Sequence, residues 1–144
     1  MPTERPAEPP RELAVSSAAP DRLYELDPGL VAPDPDAGPA AVRPVGDASG
    51  GPVYRRRPSG DVVVPTGRVL VRLRSGDTVG AHRAALEKAG YTIESVPSYA
   101  PNAAWVRAAS GRTADALGQL DALHRLPGVE HIEPQMIEAA ARRT

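Results

Sequence analysis

Residues 68–74, RVLVRLR, alternate strictly: Val69, Val71 and Leu73 fall on one side and Arg68, Leu70, Arg72 and Arg74 on the other. A period of two marks a half-buried strand, and Ser75-Gly76 ends it. The next stretch, VGAHRAALEKAG, switches to helical spacing, with Val79, Ala85, Leu86 and Ala89 on one stripe. Asp77 or Thr78 stands where an N-cap belongs, and Gly90 where a left-handed C-terminal cap belongs. YTIESV reads as a second strand, stopped at Pro97, and AAWVRAA as a third, one hairpin-length loop away. Thr113 and Asp115 open a second helix whose stripe is Leu117, Leu120 and Leu123, and Pro127-Gly128 closes it. VEHIE supplies a fourth strand.

The order strand, helix, strand, strand, helix, strand predicts a fold class. Right-handed crossovers place both helices on one face of a four-stranded antiparallel sheet, the α+β ferredoxin-like βαββαβ arrangement. Val129 and Ile132 have opposite parity on the last strand, so either Val129 lies at the strand's entry or the strand bulges. Upstream the pattern is different. Residues 1–60 hold 12 of the 17 prolines and no sustained apolar period, a composition that cannot bury enough surface to offset chain entropy. The expected organisation is a long disordered N-terminal tail over 1–62, a folded domain over 63–135 and an extended C-terminal tail over 136–144. Within the first segment, Leu23, Tyr24 and Leu26 could make an isolated helical turn.

Composition narrows the chemistry. The chain has no Cys, so disulfides, thiol catalysis and Cys-based zinc sites are excluded. Its formal charge is −1, and after residue 60 it carries 10 Lys/Arg against 9 Asp/Glu, which supplies no field for nucleic acid or an anionic membrane. The run Arg55-Arg56-Arg57 reads as solvated linker charge. His82, His124 and His131 fall on different elements without carboxylates at metal-ligand spacing, and GGPVYRRRPSG lacks the Lys-Ser/Thr and helix of a phosphate loop. Glu130 and Glu133 lie three apart on a strand and so face opposite sides. The expectation is a protein that is not an enzyme and takes no metal or other cofactor. Pro2, Pro6, Pro9 and Pro10 occupy the place of an export signal's apolar run, which predicts a cytoplasmic protein with no membrane span, monomeric when free.

With both helices on one face, the other face is what a partner meets. Leu70 and Arg72 turn outward if Val69, Val71 and Leu73 turn in, and Trp105 and Arg107 turn outward if Ala104, Val106 and Ala108 turn in. The chain's only Trp then stands on an open sheet beside arginines, the residue types most enriched in interface hot spots. Two alternatives stand beside this reading: Trp105 covers the sheet edge or is capped by part of the N-terminal tail, or the strand parity is inverted and Trp105 is buried.

The segments VPTGRVLVRLRSG, ALEKAGY, AAWVRA and LDALHRLPGVEHIEPQ, taken in this order and spacing, resemble the propeptide domain of subtilisin-like serine proteases and the stand-alone inhibitors related to it. The likeness covers residues 64–141 and is most specific in LPGVEHIEPQ. It implies an inhibitor, folding chaperone or both for a subtilisin-like serine protease, docked through the open sheet face with the C-terminal tail lying substrate-like in the active-site cleft. Leu70, Arg72, Trp105 and Arg107 become docking residues, and Glu130 or Glu133 would cap helix N-termini of the protease. Met136, Ile137, Glu138, Ala139, Ala140 and Ala141 would run along the cleft. The Asp-x-Gly, His-Gly-Thr and Gly-Thr-Ser-Met motifs of a catalytic domain are not in the chain, so the implied action is in trans. The alternatives are a non-inhibitory adaptor using the same face and a small-ligand sensor.

Overall fold

The strand that carries Val69, Val71 and Leu73 begins further upstream than their alternation, and at Val62–Leu73 it is the longest strand of the computed structural model. The structure describes residues 9–14, 23–46, 50–57 and 59–138. In chain order its strands are β1 (Glu12–Ala14), β2 (Leu23–Ala32), β3 (Arg43–Pro44), β4 (Gly51–Arg57), β5 (Val62–Leu73), β6 (Tyr91–Ser95), β7 (Ala103–Ala108) and β8 (Val129–Glu138). Three short helices, α1 (Arg83–Lys88), α2 (Thr113–Gly118) and α3 (Leu120–His124), join them, with 3-10 segments at Pro35–Ala41 and Gly80–His82.

Among the described residues all eight strands belong to one antiparallel sheet, ordered β1-β2-β4-β5-β7-β6, with β3 beside β2 and β8 beside β5. This overturns the expected four-stranded ferredoxin-like βαββαβ fold behind a disordered tail. Strands β5 to β8 do run β8-β5-β7-β6, but β5 also pairs with β4, and through it the sheet continues into β2 and β1. The physical reason is edge pairing. The short apolar runs at Tyr24–Leu26 and Val53-Tyr54 cannot bury themselves alone. With β4 laid beside β5 and β2 beside β4, Tyr24 is 3% exposed and Val53 and Tyr54 are 0% exposed. The segment DRLYELDPGL, read as a helical turn, is accordingly strand from Leu23 onward.

The core has three parts. On the helix-bearing face, Val69, Val71 and Leu73 pack with Ala104, Val106, Ala108 and Ile132 against Leu86, Ala116 and Leu123. Leu13, Tyr24, Tyr54 and Val63 form a second cluster with Leu117 of α2, which ties the N-terminal strands to the helices. Ala32, Val53 and Val64 make the third, flanked by Leu30, Val42 and Val62.

Two irregularities shape the β5–β8 pair. Between the pairs Pro65–Met136 and Val69–Pro134, four steps along β5 match two along β8. Gly67 sits in this bulge at φ 92°, where a Cβ would stand 3.1 Å from Thr113 Oγ1, so both conformation and space call for glycine. At the other end, Arg72 pairs with His131 and Leu73 with Val129, so β8 bulges at Glu130. The bulge answers the parity conflict on the last strand, since Val129 and Ile132 both reach the helix-side core. The second helix is likewise broken: Gly118 and Gln119, the latter at φ −107° and ψ 10°, divide it into α2 and α3.

Candidate functional site

The face of β5–β8 turned away from the helices carries the residues singled out from sequence. Cross-strand register sets them in rows. Leu70 of β5 stands between Trp105 of β7 and Glu133 of β8. Arg72 stands between Ala103 and His131, and Arg68 is opposite Arg107. Leu70, Trp105, Arg107 and Glu133 are half-buried, while Arg72 and Glu130 are exposed. Trp105 therefore points outward, as the alternation of Ala104, Val106 and Ala108 required, and the inverted parity that would have buried it does not occur.

Arg107 is not an isolated charge. Glu94 of β6 accepts from Arg68 Nε through Oε1 at 2.7 Å and pairs with Arg107 Nε through Oε2 at 2.7 Å. One carboxylate thus locks two arginines that would otherwise repel across the strands. Glu94 was missed in the sequence, although it shares parity with Thr92, which faces Arg107. What remains open to a partner is the apolar pair Leu70–Trp105, with exposed Arg72 beside it.

The N-terminal strands come close to this surface. A cleft of about 270 Å³ is bordered by Trp105, Glu133, Gln135 and Glu138 together with Tyr24 and Arg56. Gln135 Oε1 accepts from Thr66 Oγ1 at 2.8 Å. The arginine run read as linker charge is wholly engaged: Arg55 Nε pairs with Asp27 at 2.8 Å, Arg57 Nη2 with Glu25 at 3.0 Å, and Arg56 with Glu138.

Residues 136–138 of the expected extended C-terminal tail are strand instead. Met136, Ile137 and Glu138 are the last residues of β8 and pair with Pro65, Val64 and Val63. Their backbone is committed to the sheet, because Val62–Pro65 extends β5 far enough to receive them. Ala139, Ala140 and Ala141 lie outside the described residues.

For chemistry the geometry offers little. His82 hydrogen-bonds the Thr78 carbonyl oxygen through Nδ1 at 3.1 Å and lies 3.8 Å from Asp77. Among the described residues no group of three or more His, Asp or Glu is placed to hold a metal ion, and no helix is long and apolar enough to cross a membrane. Asp115 at the start of α2 is the clearest perturbed carboxylate. Donation from Ser110 Oγ, and then from Arg112 Nε at 3.1 Å, holds its pKa below the ordinary value. Its task is local, since it fastens the 110–112 loop to the helix. No family model, curated protein or solved structure gives a significant match to the chain.

Proposed function

We propose that this chain is a propeptide-like protein that docks on a subtilisin-like serine protease through the sheet face centred on Trp105, acting as inhibitor, folding chaperone or both. The observation that carries the reading is the row Trp105–Leu70–Glu133. A large aromatic and a leucine lie on the face opposite the one that the described helices cover, beside the strand that bears the VEHIEPQ segment. Aromatic side chains in such positions concentrate binding energy. Arg72 at its edge supplies a rim charge, which tunes encounter more than affinity. With Met136–Glu138 in the sheet, any cleft-binding portion begins past Glu138 or requires the end of β8 to leave β5.

The test is titration of the full chain against subtilisin-like proteases, read as both binding and loss of peptidase activity. Trp105→Ala should weaken binding about 30-fold or more, the size of a hot-spot truncation of about 2 kcal/mol. Neither binding nor inhibition with any such protease would overturn the reading. A second reading, a non-inhibitory adaptor using the same face, is favoured by the commitment of Met136–Glu138 to β8. It expects the Trp105→Ala loss in binding to a partner whose activity is unchanged.

A further inference from the structure

We propose that the 3-10 segment Pro35–Ala41 and Arg56 of β4 form an intramolecular latch that holds the end of β8, Met136–Glu138, in the sheet and so withholds it from a partner's cleft. The functional half of this inference rests on the protease reading above; the structural half does not.

Adjacent residues of a strand project to opposite faces, so Ile137 and Glu138 must be secured separately. The N-terminal segment secures both. On one side Ile137 meets the 3-10 segment Pro35–Ala41 at Gly38, which is buried and has φ 69°. A Cβ there would stand 2.6 Å from Ile137 Cγ2, so the two chains approach as closely as glycine allows. On the other side Arg56 of β4 reaches over β5 and pairs with Glu138. Arg56 stands opposite Tyr24, its cross-strand neighbour in β2. The backbone pairs Val64–Ile137 and Val63–Glu138 lie between these two clamps.

The arrangement is built to open locally. The clamped residues come after the β5 bulge, away from the main core of Val69, Val71 and Ile132. Glu138 is exposed, and the ion pair is partly open to water, with side-chain exposures of 31% for Arg56 and 38% for Glu138. Releasing these three residues takes Met136 off the second cluster but leaves the main core of Val69, Val71 and Ile132 in place, the condition for sub-global opening.

Amide hydrogen exchange of the full chain tests the latch. Arg56→Glu should raise exchange at Met136–Glu138 about two- to fivefold, the range of a partly exposed ion pair, while amides of Val69–Leu73 keep their protection. Arg56→Glu combined with Glu138→Arg should restore slow exchange. Glu138→Gln, which leaves Arg56 against Tyr24, gives the same direction with less perturbation of β4. Unchanged exchange in Arg56→Glu and Glu138→Gln, or failure of the reversed pair to restore it, overturns the latch. With a subtilisin-like protease that the native chain inhibits, Arg56→Glu should inhibit more tightly by a similar factor. Faster exchange without tighter inhibition overturns the withholding role. If neither protein inhibits, the protease reading fails, and exchange alone judges the latch.

Discussion

Replacing Tyr54 by alanine asks whether the N-terminal strands are part of the fold or merely lie beside it. Tyr54 is fully buried at 0% exposure in β4, packed with Leu13, Tyr24, Val63 and Leu117. Its hydroxyl donates to the Pro10 carbonyl oxygen at 2.6 Å, and burial pushes the phenol pKa well above its usual value. A buried aromatic of this kind covers roughly 150–250 Å², or about 4–6 kcal/mol at 25 cal/mol per Å², an upper bound. Aromatic-to-alanine changes in cores cost about 3–5 kcal/mol, and we expect that range here. Against a total stability of about 5–15 kcal/mol this is a large fraction. The assay is urea unfolding followed by fluorescence of the single Trp, which reports from β7, on a different strand from the substitution. With a slope of about 2 kcal/mol per M the midpoint should fall by roughly 2 M. Tyr54→Phe keeps the ring and should cost only about 1 kcal/mol for the lost hydrogen bond. A loss below about 0.5 kcal/mol in Tyr54→Ala, the size of a surface change, would refute the integration of β4 and restore the separate tail.

Gly67→Ala should destabilise by about 1–3 kcal/mol, since it forces a positive φ on a side chain that meets Thr113; thermal unfolding measures it, and a neutral result would contradict the bulge geometry. Asp115→Ala should give a pH-dependent loss. Because the folded pKa is lowered, the stabilisation is complete above the ordinary carboxylate range near about 4 and disappears as pH falls through the lowered folded value. The stability gap between native and Asp115→Ala proteins should therefore be constant near neutrality and narrow on acidification, as unfolding midpoints at a series of pH values would report.

Where one local pattern held over several residues, the sequence spoke clearly. The alternation in RVLVRLR and AAWVRA predicted which side chains enter the core, and Trp105 and Leu70 stand outward as that parity required. Glu94 lies inside the strand read as YTIESV and shares parity with Thr92, so it was legible as a partner of Arg68 and Arg107. The upstream strands were signalled more weakly. Tyr24 and Leu26 alternate, and Val53-Tyr54 precedes a Ser-Gly-Asp turn leading into Val62, but each run is short and lies among prolines. Their burial depends on a strand edge supplied from elsewhere in the chain, so local propensity could not decide it. The arginine run shows the same limit. Its three acids, Asp27, Glu25 and Glu138, come from β2 and the far end of the chain, and only the assembled sheet brings them within reach.

By itself, then, the sequence determined element type over residues 68–132, the inward and outward sides of β5 and β7, and the lack of any cysteine chemistry. Those properties follow from spacing along one chain segment. Tertiary structure decided that the sheet has eight strands, that Arg56 meets Glu138, and that Met136–Glu138 belongs to β8. These are pairings between residues distant in sequence. Their stability comes from hydrogen bonds and apolar area that exist only once both partners are in place.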